Sequence, residues 1–178
     1  MTKEKEFMES VVEINLPGEE KIKLQEELVE EISKILPNSE VGAIGAVAVP
    51  IVGRNEIDIM VISNDILGNT EILAQNGYKK GPVENRISYL KVYRDGIEVG
   101  IQVIPVGHKM VDVHRQIIAK LRDDENLRKK YEQFKLSLTD LASAEYKRKK
   151  SEWIKENLLN IGLTRLASFP LFRGGKEG

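Results

Sequence analysis

Residues 43–62, AIGAVAVPIVGRNEIDIMVI, place a glycine turn before an apolar run that carries two carboxylates. The run has the length and composition of a buried strand, and Asp58 interrupts it. Because Glu56 and Asp58 are two residues apart, a strand directs both side chains to one face, roughly 7 Å apart. Two carboxylates beside a glycine turn are suited to sharing a divalent cation and facing a phosphate chain.

The composition predicts one soluble domain and excludes several classes of site. The chain has 178 residues, of which 41% are apolar and 31% charged, with a formal net charge of -1. This charge balance makes a nucleic-acid partner unexpected. The absence of cysteine excludes disulfides and thiolate metal sites, and the two histidines, His108 and His114, are expected to be structural or exposed.

The sequence also predicts a cytoplasmic location without a membrane partner. No apolar run approaches the roughly 20 residues that a membrane-spanning helix needs. The first ten residues, MTKEKEFMES, lack the apolar core of a signal peptide.

The chain is predicted to form one domain over residues 1–178, with a core at about 20–160 and a frayed tail at 162–178. Three consecutive blocks of elements are predicted. The first holds a strand at Val11–Leu16 and a helix over IKLQEELVEEISKIL. The second holds strands at Val41–Ile44 and Glu56–Ser63, a helix near Asn69–Gln75, and a hairpin of Arg86–Arg94 and Ile97–Pro105. Asp95-Gly96 is a strong signal for the hairpin turn. The third block is helical. The predicted class is α+β, with a mixed, mostly antiparallel sheet of about five strands and helices from both ends of the chain.

Two runs near the glycine turn match a known pattern. They are Gly45-Ala46-Val47-Ala48-Val49-Pro50 and Ile57-Asp58-Ile59-Met60-Val61. Together they resemble the hallmark of the GrpB-like family, which usually reads I-G-S-T-A-V-P-G-L, a short spacer, and I-I-D-I-M-V. Further matches in the expected order are Leu121-Arg122-Asp123-Asp124 with Leu127, Tyr131 and Lys135, and Tyr146 with Lys150-Ser151-Glu152-Trp153-Ile154. The resemblance extends over roughly residues 20–158.

The resemblance implies a fold of the nucleotidyltransferase (polymerase β-like) superfamily. Members of that superfamily hold Mg²⁺ or Mn²⁺ with carboxylates on neighbouring strands and transfer a nucleoside monophosphate from a nucleoside triphosphate to a hydroxyl. The site residues implied here are Glu56, Asp58 and Glu98, as catalytic and metal-binding carboxylates. The residues expected to contact the nucleotide are Gly45, Ala46, Arg54, Arg86 and Lys150.

The chain departs from the family pattern in ways that leave its activity open. Ala46 and Val47 stand where the family has serine and threonine, so the turn keeps its backbone N–H groups and loses two hydroxyls. Losing a hydrogen bond to a charged group costs on the order of 1.5–3 kcal/mol. In contrast, Glu56 replaces a usually apolar residue and completes a pair of carboxylates with Asp58.

Each of these residues also has a structural interpretation. Glu56 and Glu98 can be solvated strand residues, whereas a carboxylate inside an apolar run, as at Asp58, needs a partner. Arg54 and Arg86 suit phosphate, although surface arginines without a role are equally ordinary. Lys150 lies on the apolar stripe of its helix, so it is expected to point inward to a carboxylate or a ligand.

Two functions therefore remain. One is a metal-dependent nucleotidyltransferase that acts on an unknown small-molecule or protein hydroxyl. The other is a catalytically inactive domain of the same fold that binds a ligand or a protein. The paired carboxylates favour the first function, and the missing turn hydroxyls favour the second.

Overall fold

The computed structural model describes residues 12–159, which form five strands and six helices. In chain order these are α1 Glu19–Ile35, β1 Glu40–Ile44, α2 Gly45–Ala48, β2 Glu56–Ser63, α3 Ile66–Gln75, β3 Lys79–Glu84, β4 Ile87–Arg94, β5 Ile97–Pro105, α4 Lys109–Asp123, α5 Glu125–Ser137 and α6 Ser143–Asn157. The predicted frayed tail, 162–178, lies outside the described residues, as does the first residue of the predicted strand Val11–Leu16.

The five strands form one sheet in the order β1-β2-β5-β4-β3. Only β2 and β5 pair in parallel, and the other three pairs are antiparallel. The predicted α+β class with a mixed, mostly antiparallel sheet is therefore confirmed. At the β4–β5 turn, Asp95 and Gly96 have φ values of 52° and 77°, which is the left-handed backbone that a two-residue hairpin turn requires.

One predicted strand is wrong in the part that is described. Residues 12–16 make only a single bridge, between Asn15 and Gly53. The fifth strand is instead β3, which includes Gly81 and Pro82 and has an irregular register between Lys80 and Val83. Glycine and proline disfavour a central strand, but an edge strand such as β3 tolerates both residues. The predicted helix near Asn69 begins earlier, at Ile66, because the Asp65 side chain caps it.

The two faces of the sheet are covered by different helices. On one face, α1 and α3 pack over side chains that include Ile57, Ile59 and Val61 of β2, each 0% exposed. On the other face, α4, α5 and α6 pack over Met60, Ile62 and Ile104. Because successive strand residues alternate between faces, β2 contributes to both cores.

Aromatic rings join α5 to α6 above the second face. The ring centroid of Trp153 lies 4.8 Å from that of Tyr131 and 5.4 Å from that of Phe134, and both pairs are stacked. This packing fixes the two helices that complete the candidate site. No helix within residues 12–159 has the length and apolar character to span a membrane.

Candidate functional site

A glycine turn connects β1 to the short helix α2 beside the start of β2. Gly45 has a φ of 77°, and Ile44 directly before it pairs with Asp58. A Cβ added at Gly45 would lie 2.5 Å from Oδ2 of Asp58, which is closer than any ordinary contact. Position 45 therefore requires glycine both for its left-handed backbone and for the approach of the carboxylate.

A buried glutamine of α1 holds the turn and β2 together. Nε2 of Gln25 donates to the carbonyl oxygens of Ile44 at 3.1 Å and of Asp58 at 2.9 Å. The Gln25 side chain is fully surrounded, with 3% of the residue exposed. Since buried amides are costly without partners, these two bonds fix the relative position of the turn and the strand.

A cavity lies between the turn, the start of β2 and the three C-terminal helices. Its volume of about 40 Å³ is enough for the centres of a few water molecules. Its lining combines polar and charged groups with aliphatic groups of α4. The lining residues are Gly45, Ala46, Ile51, Gly53, Arg54, Glu56, Asp58, His114, Ile117, Ile118, Leu121, Tyr131, Lys135, Tyr146 and Lys150.

Arg54 and Glu56 form a two-pronged ion pair at the edge of the cavity. Nη2 of Arg54 lies 2.6 Å from Oε2 of Glu56, and its Nε lies 3.2 Å from Oε1. The side chains are 24% and 22% exposed. Burial raises the pKa of Glu56, but the Arg54 guanidinium outweighs this effect and the net pKa is lowered. Arg54 also contacts Ser143 Oγ at 3.3 Å and lies over the ring of Tyr146, so the first turn of α6 meets the pair.

Asp58 lies beside this pair and shares its cavity. Burial and the neighbouring Glu56 carboxylate together raise the pKa of Asp58 to about 7, against the opposing effect of Lys150 and Arg54. Two carboxylates side by side disfavour a second negative charge. The site therefore favours the protonated form of Asp58 more than water does.

Two lysines bring positive charge into the same cavity. Burial lowers the pKa of Lys150 to about 8, while Glu56 and Asp58 oppose that change. Burial lowers the pKa of Lys135 to about 7, with Lys150 adding to the effect. Their residues are only 7% and 2% exposed, and each ammonium lies 5.2 Å from a tyrosine ring centroid, Tyr146 for Lys150 and Tyr131 for Lys135.

His114 of α4 completes the polar lining. Its Nε2 lies 3.0 Å from Oε1 of Gln102 on β5, so the ring donates to that amide oxygen. Burial lowers the pKa of His114 to about 4. The imidazole is therefore neutral at physiological pH and adds no charge to the cavity. His108 has a structural role instead, since its Nδ1 accepts from Met110 N at the start of α4.

The structure brings together most of the predicted site residues. Those that line the cavity are Gly45, Ala46, Arg54, Glu56, Asp58 and Lys150. Lys150 points inward, as its position on the apolar stripe predicts. Its neighbours Arg148 and Lys149 face outward and pair with Glu152 and Glu145 along α6.

Glu98 and Arg86 do not line the cavity. Glu98 lies beside Glu56 in the β2–β5 register, but its Oε2 accepts from Tyr93 Oη at 2.9 Å and pairs with Lys91 at 3.4 Å, both on β4. Arg86 lies in the β3–β4 turn with a φ of 65°. That turn lies near the end of β5, whereas the cavity lies near its start.

The side chains present do not fit a divalent cation. Within residues 12–159, no three acidic or histidine side chains are grouped to hold a metal ion. Both oxygens of Glu56 are already bonded to Arg54, and two further cations line the same space. Mg²⁺ and Mn²⁺ prefer free carboxylate oxygens, so this donor set favours an anion.

The sequence interpretation missed Lys135, His114 and Gly53 as site residues. The pattern that identified Lys150 applies equally to Lys135, which lies four residues after Tyr131 and three before Leu138 on an apolar stripe. No sequence signal marks Gly53, where an added Cβ would lie 2.7 Å from the Cβ of Ala46. Such a contact depends on how distant segments pack.

Comparisons with known proteins agree with this fold. The family model described as GrpB protein matches residues 12–159. A UPF0157 protein of Vibrio cholerae serotype O1 is 28% identical over 133 residues, which are 72% of this chain and 70% of that protein. The crystal structure of conserved protein GrpB from Enterococcus faecalis has a TM-score of 0.64 and 18% identity, over 81% of this chain and 98% of that one.

A more distant likeness involves a longer chain. The structure of a cytoplasmic RNA terminal U-transferase has a TM-score of 0.43 and 17% identity, over 68% of this chain and 42% of that one. The Enterococcus faecalis structure shows that the fold described here is shared along nearly that whole protein. Since the family model matches every described residue, this chain belongs to the GrpB family.

Proposed function

We propose that this protein is a ligand-binding domain of the nucleotidyltransferase-like fold that takes the phosphoryl end of a phosphorylated ligand into its cavity, with slow or no transfer. The observation that carries the proposal is the ion pairing of Glu56. Arg54 occupies both oxygens of that carboxylate, so one of the three carboxylates expected to bind metal is neutralised within the protein.

The charge balance of the cavity supports an anionic ligand. Arg54, Lys135 and Lys150 oppose two carboxylates, Glu56 and Asp58. The raised pKa of Asp58 reduces the negative charge, and the lowered pKa of Lys135 reduces the positive charge, so a bound anion is needed to favour the charged form of the lysine. A cation in a poorly solvated site attracts an anion more strongly than it does in water. A phosphoryl group would therefore enter with favourable electrostatics.

The size of the cavity determines how much of a ligand enters. The centres of water-sized spheres can occupy about 40 Å³ of the cavity, so it holds a few water molecules. That space suits a phosphoryl group and is too small for a whole nucleotide. The remainder of a nucleotide or another phosphorylated molecule would lie outside the mouth. The missing hydroxyls at Ala46 and Val47 weaken the grip on a triphosphate, which agrees with weak binding.

Nucleotidyl transfer remains a second candidate because Glu56 and Asp58 line one cavity directly beside the Gly45 turn. Transfer would need Mg²⁺ or Mn²⁺ to replace Arg54 on Glu56 and would need Glu98 to leave Tyr93. The metal would neutralise charge on the phosphoryl oxygens. In that case the acceptor is an unidentified hydroxyl.

Calorimetric titration with nucleoside triphosphates, with and without Mg²⁺ or Mn²⁺, tests the proposal. We expect weak binding that needs no metal and is lost in the double variant Arg54→Met, Lys150→Met. A matched control is Arg148→Met, since Arg148 lies on the outer face of α6. Metal-dependent turnover of a labelled triphosphate onto an acceptor, abolished in Asp58→Asn, would favour the transferase instead.

A further inference from the structure

Lys135 differs from the other two cations of the cavity. Arg54 is bonded to Glu56, and Lys150 lies close to the carboxylates of β2. Within residues 12–159, the ammonium of Lys135 makes no hydrogen bond and no ion pair, and it lies over the ring of Tyr131. The carboxylates Glu56, Asp58 and Glu132 act on it only at longer range, and the strongest charge effect on it is repulsion by Lys150. Only 2% of the residue is exposed. A buried, unpaired ammonium that opens into a cavity is unfavourable unless a ligand completes it.

We propose that Lys135 anchors a compact oxyanion, the phosphoryl group of the ligand, at the side of the cavity formed by Gly53 and Tyr131. This inference rests on the proposed function, since it concerns the same cavity, and it names the group that holds the anion. It also assigns a binding role to α5, which carried none in the site expected from the sequence.

The surroundings of Lys135 leave space in front of its ammonium. A Cβ added at Gly53 would lie 3.4 Å from Nζ of Lys135, so glycine at that position keeps this side of the nitrogen open. The cavity is also lined by the aliphatic side chains of Ile117, Ile118 and Leu121 of α4. An oxyanion held there would lose most of its water, and a charged hydrogen bond in such a site is short and strong.

The anion would be in contact with a network of titrating groups. The charged and titratable groups that face Lys135 come from β2 and its preceding loop and from α4, α5 and α6: they are Arg54, Glu56, Asp58, His114, Tyr131, Glu132, Tyr146 and Lys150. Burial raises the pKa of Tyr131 and of Tyr146, so both phenols stay neutral. A bound phosphoryl group favours the charged form of Lys135 and the neutral form of Asp58. Binding near pH 8 should therefore take up protons.

The test is calorimetric titration of the full chain with inorganic phosphate. We expect Lys135→Met to weaken binding more than about tenfold, as the loss of a hydrogen bond to a charged group implies. The matched control is Lys130→Met, because Lys130 is exposed on the same helix. Lys135→Gln serves as a second variant, and melting curves establish that each variant is folded.

A second readout separates anion binding from a structural role of Lys135. Titrations of the wild type at pH 8 in two buffers with different heats of ionisation should reveal proton uptake, and this uptake should diminish in Lys135→Gln. Acetate should bind more weakly than phosphate. Equal acetate affinity would overturn the assignment to a phosphoryl group.

The outcomes also separate this inference from the proposed function. If nucleoside triphosphates bind but Lys135→Met and Lys135→Gln bind phosphate as tightly as the wild type, the role of Lys135 is refuted and the proposed function stands. If phosphate binding depends on Lys135 while nucleoside triphosphates do not bind, the inference stands and nucleotides are excluded as the ligand. Failure of the wild type to bind either would refute both.

Discussion

The two faces of β2 contrast within a single strand. On the face under α1 and α3, Ile57, Ile59 and Val61 are fully buried among apolar side chains. On the other face, Met60 and Ile62 are packed in the same way, but Glu56 and Asp58 open into the charged cavity. The first face is built for stability alone. On the second face, the poorly solvated charges that line the cavity lower the stability of the folded protein, and they form a site where a ligand can bind.

The largest effect on stability is expected from a substitution in the apolar face of β2. Ile59→Ala should lower the free energy of unfolding by about 2–5 kcal/mol, since it leaves a cavity under α1. Phosphate affinity of the folded variant should stay unchanged, because Ile59 lies on the face away from the cavity. Urea unfolding and calorimetry measure the two quantities. The control is Leu67→Ala, whose residue is 78% exposed. A large loss of affinity in folded Ile59→Ala would mean that the two faces are not independent.

The second-largest effect is expected at the glycine turn, where one substitution should lower both stability and phosphate affinity. Gly45→Ala should lower the free energy of unfolding by about 1–2 kcal/mol from its left-handed backbone alone, and the new methyl group must also displace the Asp58 carboxylate. Phosphate binding should weaken as well. Gly42→Ala is the matched control, since a Cβ there has no atom within 4 Å. Wild-type affinity and stability in Gly45→Ala would show that the turn adjusts freely.

The third effect depends on pH. Asp58 has a folded pKa that burial raises to about 7, above its ordinary 3.8, so the folded protein binds the extra proton between those values. The contribution of this carboxyl to stability is therefore complete at low pH and is lost as the pH rises towards 7, by at most about 1.4 kcal/mol per pH unit. Asparagine has no such loss.

Asp58→Asn should therefore match the wild type near pH 4 and be more stable at pH 7 and above. The difference between the two proteins is the quantity to measure, because His114, whose pKa burial lowers to about 4, gives the wild type an opposing trend at acid pH. Asp123→Asn, at an exposed position of α4, is the matched control. A loss of stability in Asp58→Asn at pH 8 would contradict the expected cost of the buried charge.

The smallest effect on stability is expected from the loss of an exposed ion pair on the outer face of α6. Arg148→Ala removes an exposed pair with Glu152 on α6 and should cost about 0.3–0.5 kcal/mol. Lys150, two residues later, lies inside the cavity. The comparison of Arg148→Ala with Lys150→Met, by urea unfolding at low and high salt, sharpens the contrast. Salt should screen only the outer pair. Equal salt dependence in both variants would place Lys150 in solvent.

Sequence patterns predicted the regular parts of the fold well. The hairpin turn, the carboxylate strand and the helical C-terminal block follow from local periodicity and turn chemistry. Strand β3 was missed because its Gly81 and Pro82 disfavour strands in general, and only its place at the edge of the sheet makes them tolerable.

The candidate site was predicted only in part, because its geometry depends on tertiary packing. The spacing of Glu56 and Asp58 correctly indicated a shared face, and Lys150 was correctly expected to point inward. The spacing could not show that Arg54 would hold Glu56, or that Glu98 would accept from Tyr93 on the neighbouring strand. The choice of partner by a charged side chain depends on which other elements come within reach of it.

The side-chain amide of Gln25 links the edge strand β1 to the strand that lines the cavity, so ligand binding should change hydrogen exchange at the edge of the sheet. Its nitrogen connects α1 to the carbonyl oxygens of Ile44 and Asp58, so the first strand cannot separate from the second at this point without breaking at least one of these bonds. Opening events that expose the backbone of β1 at Ile44 therefore weaken the support of Asp58, its partner in the sheet and a lining residue of the cavity. A ligand that immobilises Asp58 should slow hydrogen–deuterium exchange along residues 40–44 and in the middle of α1, on the far side of the sheet from where it binds.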